Sequence, residues 1–509
     1  MGIALIKKNM GAFLRECAEH FPDNTAIRQG GKNLSYREIN EMTDEIAGKL
    51  ISLGISKGEH IGMLSDTSID DILMKFALTR IGAVACLLNP GLGKAELANV
   101  MAYSDIKTLI VGPAYKGESN FEGITKFDIN LKGVKTLASA ESVLQREAAV
   151  DSSDTAMILY TSGTTGPVKA VMGSHYSRVN NGRKQAEDLG ATEKDIFLCA
   201  LPTFHCFSLA VNIMAAFSVG ATLVIPHSRH TADLLAAIQQ ESCTIFSAVP
   251  TLFNAVVSRP DFGSWDVSSI RTGIIGGSYC SPESFAAIEK AFGMTLLSSL
   301  GQTELTGGFT VSEATDSLEI RANTLGHFME FVEGKIADPV TGETLPAGKT
   351  GEICAKGYPV MQGYYKMPEA TEKTIDKDGW LHTGDLGSLD ENGYLTLKGR
   401  IKEMIIRSGE NIAPIEIEKI FADDSRIEMI KAVGVPDAHY GEEICLCIKL
   451  AKGVKIIDTD EIKGTVKAHL AAFKVPKYIL LLDEFPCNAT GKIKLNDLIA
   501  LATEKLGLS

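Results

Sequence analysis

The chain has 509 residues, of which 45% are hydrophobic and 22% are charged, a composition typical of a globular protein with more than one folded unit. Its formal net charge of −13 argues against nucleic acid or an acidic membrane surface as the main partner. No apolar run is long enough to cross a bilayer, and residues 1–8 lack a signal-peptide core. We therefore expect a cytoplasmic protein without integral membrane association.

The cysteines give no sign of a disulfide framework or a zinc site. The ten cysteines lie mostly within apolar stretches and never form a C-x-x-C pair. We expect reduced thiols that are mostly buried.

The first part of the chain alternates between predicted helices and strands. Ser35-Tyr36-Arg37-Glu38 matches a helix capping box, and apolar residues continue at helical spacing at positions 39, 42, 46 and 50. A strand over 60–64, a helix from about residue 69 and a strand over 83–88 follow. This alternation predicts a parallel sheet with helical crossovers.

A glycine- and threonine-rich segment follows a predicted buried strand over 156–159. It contains Thr161-Ser162-Gly163-Thr164-Thr165-Gly166, then Pro167, Val168 and Lys169, and a helix is predicted from His175. Glycines let backbone N–H groups approach an anion, and the hydroxyls and the lysine add donors. The spacing differs from the P-loop motif. The segment therefore predicts a polyphosphate site of another kind.

Further strands are predicted over 196–201, 221–225, 244–248, 270–275 and 295–299. Two doubly wound sheets would accommodate them, and ligands of such sheets bind beyond the carboxyl ends of the strands. Three motifs follow these strands: Pro202-Thr203-Phe204-His205, Gly276-Gly277-Ser278 and Gly301-Gln302-Thr303-Glu304. We expect them to share one crevice.

The character of the sequence changes in its last third. Turn signals over 325–398 separate short strands and predict a small antiparallel unit. An α+β pattern returns beyond Gly399, with helices expected near 415–422, 459–472 and 495–506. We predict an N-terminal domain over 1–399 and a C-terminal domain over 400–509.

Three motifs belong to this last third. They are Thr383-Gly384-Asp385, then Arg400-Ile401-Lys402 with Gly409 shortly after it, and Thr490-Gly491-Lys492. Together with the glycine-rich segment and the strand-end motifs, they resemble the adenylate-forming superfamily of acyl-CoA synthetases, nonribosomal-peptide adenylation domains and luciferases. The resemblance covers nearly the whole chain and is closest to the acyl- or aryl-CoA ligases.

The resemblance implies a role for each motif. The segment 161–166 with Lys169 would bind the phosphates of ATP, with Thr164 counted among the catalytic residues. Thr303 would contact the α-phosphate, Glu304 would hold Mg²⁺, and Gly276, Gly277, Gly301 and Gln302 would line the nucleotide site. His205 would gate the acyl pocket. Asp385 and Arg400 would bind the ribose.

The C-terminal motifs complete this implied site. Lys492 would be the catalytic lysine, Lys402 the hinge about which the C-terminal domain rotates, and Gly409 the point where the pantetheine arm of coenzyme A passes. The chain departs from the family in having Leu300 where a tyrosine usually packs on adenine. Pro167 and Val168 are also transposed, and Ala170 replaces a glycine.

The implied activity is an AMP-forming carboxylate–CoA ligase that uses ATP, Mg²⁺ and coenzyme A. Transfer to a carrier protein in trans, oxidation as in luciferases, and nucleotide binding without ligase activity remain alternatives, and a homodimer is left open. Phe204, Phe207 and Phe253 favour an apolar acyl group. A fatty, an aromatic and a polycyclic acid all stay open.

Overall fold

The structure is a computed structural model that describes residues 3–113, 115–117, 119–161, 168–407, 410–437, 439–487 and 493–508. The helices are α1 (Met10–His20), α2 (Tyr36–Ser52), α3 (Ile69–Arg80), α4 (Lys94–Tyr103), α5 (Ala140–Ala148), α6 (His175–Asp188), α7 (Ala215–Ser218), α8 (Thr231–Glu241), α9 (Pro250–Val257), α10 (Pro282–Phe292), α11 (Leu318–Asn323), α12 (Pro368–Thr374), α13 (Pro414–Glu418), α14 (Thr459–His469) and α15 (Leu495–Lys505). A π-helical segment, Ser208–Met214, leads into α7.

The strands, also in chain order, are β1 (Thr25–Gln29), β2 (Lys32–Ser35), β3 (His60–Leu64), β4 (Val84–Leu87), β5 (Thr108–Val111), β6 (Thr125–Asp128), β7 (Thr155–Thr161), β8 (Lys169–Ser174), β9 (Ile196–Leu198), β10 (Thr222–Val224), β11 (Ile245–Phe246), β12 (Thr272–Gly276), β13 (Thr295–Ser299), β14 (Gly301–Gln302), β15 (Gly307–Gly308), β16 (Thr310–Val311), β17 (His327–Phe328), β18 (Val332–Ala337), β19 (Gly351–Gly357), β20 (Gly363–Tyr364), β21 (Leu381–Leu389), β22 (Leu395–Arg400), β23 (Ile405–Arg407), β24 (Glu410–Ile412), β25 (Ile427–Asp437), β26 (Gly441–Leu450) and β27 (Tyr478–Leu481).

Two seven-stranded sheets form the large part of the molecule, which confirms the predicted α/β fold. The first has the order β13-β12-β11-β9-β10-β1-β2 and is parallel apart from the β1–β2 pair. The second has the order β20-β8-β7-β4-β3-β5-β6, with its last five strands parallel. The carboxyl ends of their parallel strands define the crevice described below.

Strand β8 was not predicted. It pairs antiparallel with β7, so that Lys169 lies opposite Thr161 across the hairpin. Its sequence, Lys-Ala-Val-Met-Gly-Ser, contains a single β-branched residue, and its strand conformation therefore depends on pairing with β7 and β20. The glycine-rich segment thus connects two strands, and α6 begins only after β8.

Helix α2 confirms the predicted capping box, since Ser35 and Glu38 exchange side-chain and backbone hydrogen bonds. The buried face of α2 is rotated slightly from the predicted one. Met42 is 36% exposed, and Thr43 is buried in its place and donates to the Ile39 carbonyl oxygen at 2.6 Å. The hydroxyl is satisfied inside the helix, so its burial costs little.

The predicted antiparallel unit is the four-stranded sheet β18-β19-β21-β22. The last sheet has the order β24-β23-β26-β25, with β27 beside β26, and α13, α14 and α15 accompany it near the predicted positions. Two apolar clusters in this last part draw their members from residues 405–508, whereas the other three clusters draw theirs from residues 5–397.

The structure also bears on the expectations about the cysteines and about membrane-spanning segments. All ten cysteines lie in described residues and are free thiols, seven of them buried and three half-buried. Among the described residues, no helix combines the length and the apolar character needed to span a bilayer.

A buried ion pair on α3 is part of a hydrogen-bond network that reaches the loop after β9. Lys75 and Asp71 on α3 are 3% and 1% exposed and are hydrogen-bonded to each other. Thr203, in the loop after β9, donates to Asp71 at 2.6 Å and accepts from Lys75 at 3.2 Å. Ser65 also donates to Asp71, at 2.6 Å. This network fixes the loop that leads to His205.

We predict that Asp71→Asn lowers the free energy of unfolding by about 3–5 kcal/mol, because it leaves the Lys75 ammonium buried without a countercharge. Denaturant unfolding with an unchanged m-value would measure the loss. The control is Asp23→Asn, whose carboxylate is 86% exposed beside Arg37, and for which we expect a change below about 1 kcal/mol. Equal effects of the two substitutions would contradict the prediction.

Candidate active site

Two cavities adjoin at the carboxyl ends of the strands. The larger has a volume of about 880 Å³ and the smaller about 350 Å³. Both are lined by a shared wall, which we define as Gly276, Gly277, Ser278, Ser299 and Gly301. This wall follows β12 and β13, so motifs that are 25 residues apart in the sequence meet in one crevice.

The larger cavity is mainly apolar. Its other lining residues include Leu201, Pro202, Phe204, His205, Cys206, Phe207, Val211 and Val249. The exposed Arg229 also borders it. Burial lowers the pKa of His205 to about 4, and Arg229 acts in the same direction, so the imidazole is neutral at pH 7. Its ring packs on Phe204 with 4.4 Å between centroids.

One residue assigned to this apolar wall from the sequence is misplaced. Phe253 is fully buried in a separate apolar cluster, where its ring packs on Phe246 and Phe292. Helix α9 turns this side chain away from the cavity because its apolar face packs on α8 and α10. Phe204 and Phe207 line the cavity as expected.

The smaller cavity contains the Asp385–Arg400 pair. The two residues are cross-strand neighbours on β21 and β22, and Arg400 Nε donates to Asp385 Oδ1 at 2.8 Å. Burial alone would lower the pKa of Arg400, but attraction to Asp385 and Glu403 outweighs it and leaves the pKa raised. The hairpin register therefore places a carboxylate and a guanidinium side by side at the cavity wall.

Thr303 and Glu304 lie on a 3₁₀ turn that follows β14. The Tyr364 hydroxyl donates to Glu304 Oε1 at 2.9 Å, and Lys169 Nζ lies 4.2 Å from the centre of the Tyr364 ring. Thr303 Oγ1 is 3.7 Å from Cys206 Sγ, on the wall of the larger cavity. Glu304, Thr303 and Lys169 thus surround one region beside the shared wall.

Lys402 lies on an exposed 3₁₀ turn directly after β22. Burial lowers the pKa of Lys169, and the positive charge of Lys402 lowers it further, against the opposing effect of Glu304. The predicted hinge residue is therefore close enough to the region around Lys169 to act on it electrostatically.

Of the remaining residues predicted for the site, Thr161 and Gln302 are described by the structure. Thr161 ends β7 opposite Lys169, and Gln302 Nε2 is buried without a hydrogen-bond partner among the described residues. The others lie outside the described residues, and they are Ser162, Gly163, Thr164, Thr165, Gly166, Gly409 and Lys492.

The sequence did not identify three residues of this region. Tyr364 reaches Glu304 because β20 pairs with β8, in which Gly363 lies opposite Met172 and Tyr364 opposite Val171, and no local pattern encodes a pairing between residues so far apart in the sequence. Asn323 lines the smaller cavity at the end of α11, and Arg229 borders the larger one after β10. Arg229 follows the predicted strand over 221–225, which was the available signal, whereas no element was predicted before Asn323; neither residue lies in a recognisable motif.

Comparison with known proteins shows the family to which the chain belongs. The AMP-binding enzyme family matches residues 14–365, and the AMP-binding enzyme C-terminal domain matches residues 416–492. A putative acyl-CoA synthetase of Bacillus subtilis, YngI, is 34% identical over 99% of both chains. The mitochondrial medium-chain acyl-CoA ligase ACSF2 of Homo sapiens is 30% identical over 96% of this chain and 87% of its own length.

Solved structures show the same fold. The O-succinylbenzoate coenzyme A synthetase MenE of Bacillus subtilis, in complex with ATP and magnesium, has a TM-score of 0.85 at 25% identity, over 97% of this chain and 100% of its own. ATP-bound MatB of Rhodopseudomonas palustris also has a TM-score of 0.85 at 25% identity, over 98% and 99% of the two chains. The chain therefore belongs to the AMP-binding enzyme family, as an AMP-forming acid–thiol ligase among the acyl-CoA synthetases.

Proposed function

We propose that this protein activates a bulky apolar carboxylic acid, such as a medium- or long-chain fatty acid, first as an acyl-adenylate and then as a coenzyme A thioester. The observation that supports this most is the pair of adjoining cavities. An acyl-adenylate is an apolar group joined through a phosphate to a nucleoside, and the larger cavity, the shared wall and the smaller cavity offer these three environments in that order.

The nucleoside end of ATP belongs in the smaller cavity in this proposal. Asp385 accepts hydrogen bonds from the ribose hydroxyls, and Arg400, which holds Asp385 at 2.8 Å, adds a donor. Leu300 and Asn323 line the same cavity and would contact the base. The glycine-rich segment and Lys169 would bind the outer phosphates, and Thr303 the α-phosphate.

Mg²⁺ fits the region around Glu304. A carboxylate is the oxygen ligand that this hard cation prefers, and Glu304 is only half-buried, so that water can complete the coordination. Bound there, the ion would neutralise charge on the phosphate oxygens. Tyr364 positions the carboxylate through its hydroxyl.

The first half-reaction joins the acid to AMP. A carboxylate oxygen attacks the α-phosphorus, the bond to the β-phosphate oxygen breaks, and pyrophosphate leaves. Lys492 would stabilise the negative charge that develops on the oxygens between the two reactants. His205, neutral at pH 7, adds no charge to the carboxylate site and can act as a steric gate. Most of the acceleration comes from positioning.

The second half-reaction transfers the acyl group to coenzyme A. The thiol loses its proton to solvent, its sulfur attacks the acyl carbon, and the C–O bond to AMP breaks. Rotation of the C-terminal part about Lys402 would withdraw Lys492 and bring Gly409 to the site, where the absence of a side chain lets the pantetheine arm pass. We favour coenzyme A over a carrier protein because these relatives are named acyl-CoA synthetase and acyl-CoA ligase. We also propose that the reaction takes place in the cytoplasm.

We expect Asp385→Asn to raise the KM for ATP about 10- to 100-fold, because a charged hydrogen bond to the ribose is lost. The KM for the acid should change much less. Steady-state kinetics with each substrate varied in turn would measure both values. Asp390→Asn, on the exposed turn of the same hairpin, is the control and should leave both unchanged. A larger effect on the acid than on ATP would contradict the assignment.

We predict that Lys492→Ala reduces adenylation at least about 100-fold but leaves thioester formation from supplied acyl-adenylate largely intact. Gly409→Leu should do the reverse, because a side chain there would block the thiol. Pyrophosphate exchange reports the first step and release of AMP by coenzyme A reports the second. Lys494→Ala, an exposed lysine two residues from Lys492, is the control. Equal loss of both steps in either variant would refute its role.

The proposed function itself is tested by AMP release from the wild-type protein with a panel of carboxylic acids, with and without coenzyme A. We expect the highest kcat/KM with acids whose apolar part fills a cavity of about 880 Å³, and strong stimulation by coenzyme A. Protein that releases no AMP with any acid would end the proposal. AMP release that coenzyme A leaves unchanged would favour a different acceptor.

A further inference from the structure

Arg178 is a buried cation that neither the fold nor the proposed mechanism uses. Its side chain lies on the inner face of α6 and is 2% exposed. Within the described part of the chain, Nε and both Nη atoms have no hydrogen-bond partner. Burial lowers the pKa of Arg178 to about 10, which is still well above neutral pH, so the guanidinium keeps its charge. An isolated buried charge is strongly unfavourable unless something else compensates it.

The protein backbone makes room for this guanidinium. Gly173 on β8 faces it, and a Cβ atom at that position would lie 2.5 Å from Nη2. Glycine within a strand weakens the strand and often marks a close approach. Two locally unfavourable features, an interior glycine and an unpaired cation, therefore occur together, which favours a functional reason over accidental packing.

Arg178 lies directly behind the wall of the larger cavity. The ionisable group that acts on it electrostatically is Cys206, which is among the residues that line that cavity. Three residues further along α6, Asn181 donates to the Gly308 carbonyl oxygen at 2.9 Å, and Gly307 and Gly308 also line the cavity. The wall between α6 and the cavity thus consists of residues with small side chains or none.

The same face of α6 carries further unsatisfied polar atoms. Asn181 Oδ1 and Gln185 Oε1 are buried without partners among the described residues, and with Arg178 they form a row at helical spacing that we call the polar row. A guanidinium binds a carboxylate through two parallel hydrogen bonds, so the charge of Arg178 matches an anionic ligand. The open oxygens of Asn181 and Gln185 are acceptors and would take a hydrogen-bond donor beside that ligand.

We propose that the acid substrate carries a second carboxylate, distant from the reacting one, and that Arg178 is its countercharge. The substrate class is then a dicarboxylic acid with an apolar body. Its body occupies the larger cavity, and its second carboxylate reaches the guanidinium of Arg178 past Cys206, Gly307 and Gly308. This inference rests on the proposed ligase activity. The nucleotide does not explain the charge, since Asp385 and Arg400 lie at the smaller cavity.

The test uses the variants Arg178→Met and Arg178→Lys, with Arg183→Met as the control. The control removes a cation from the same helix, since Arg183 donates to the Ala4 carbonyl oxygen near the surface. The KM is measured for ATP and for monocarboxylic and dicarboxylic acids of equal chain length. In Arg178→Met we expect the KM for dicarboxylic acids to rise about tenfold or more, with the values for ATP and for monocarboxylic acids unchanged or lower. Arg178→Lys should lie between the wild type and Arg178→Met, and Arg183→Met should match the wild type.

Thermal unfolding without ligand separates a substrate-binding role from a structural one. Replacing an unpaired buried charge by a side chain of similar volume should leave Tm unchanged or raise it by about 2–4 °C. A lower Tm in Arg178→Met with no selective loss of dicarboxylic acids would overturn the inference in favour of a structural role, as would a rise in KM for ATP alone. A wild-type enzyme that uses monocarboxylic acids and rejects every dicarboxylic acid refutes the inference and leaves the ligase proposal standing.

Discussion

The close approach of main chains around β12, which lies between β11 and β13, is the constraint on which the site depends. Main chains approach so closely there that side chains are excluded: a Cβ on Gly273 would lie 1.7 Å from the Phe246 carbonyl oxygen, and one on Gly276 would lie 2.8 Å from that of Ser299. The same holds for Gly301, whose Cβ would lie 2.6 Å from the Gly307 carbonyl oxygen. The glycines therefore serve packing as well as ligand approach. They leave a thin wall, on whose two sides lie two cavities of different polarity.

Local patterns predicted those parts of the fold and the site in which the deciding interactions are local. Interactions between residues close in the sequence determine the strands over 60–64 and 295–299 and the helix cap at Ser35. The structure has all three where the sequence predicts them. The strand-end motifs meet because the topology of parallel sheets brings all carboxyl ends to one edge. Strand β8 and Tyr364 could not be predicted, because their positions depend on pairing between β8 and β20, which are far apart in the sequence. The same reason applies to Phe253. The packing of α9 determines whether its ring points into the larger cavity or into the separate apolar cluster, where it lies.

The charge of the whole chain says little about the charge of the site. A net charge of −13 coexists with Lys169, Lys402, Arg229 and Arg400 around the crevice. Such a crevice suits anionic reactants because low-dielectric walls strengthen local fields relative to the screened charges outside. Burial lowers the pKa of Lys169, and the positive charge of Lys402 lowers it further, so an anion bound beside both would relieve this repulsion. Anion binding would thereby be linked through charge to the position of the turn that carries Lys402.

The contacts between the C-terminal part and the rest of the molecule include weak polar contacts that water can replace. They include a hydrogen bond of 2.8 Å from Ser281 to Asp423 and the ammonium of Lys419 at 4.6 Å from the centre of the Tyr279 ring. Each is worth on the order of 1 kcal/mol, and water can replace either partner. The apolar clusters over 405–508 are internal to that part and would move with it intact. A rotation about Lys402 would therefore break polar contacts such as these and leave each core packed, and this energetic balance would allow one crevice to present different residues in the two proposed half-reactions.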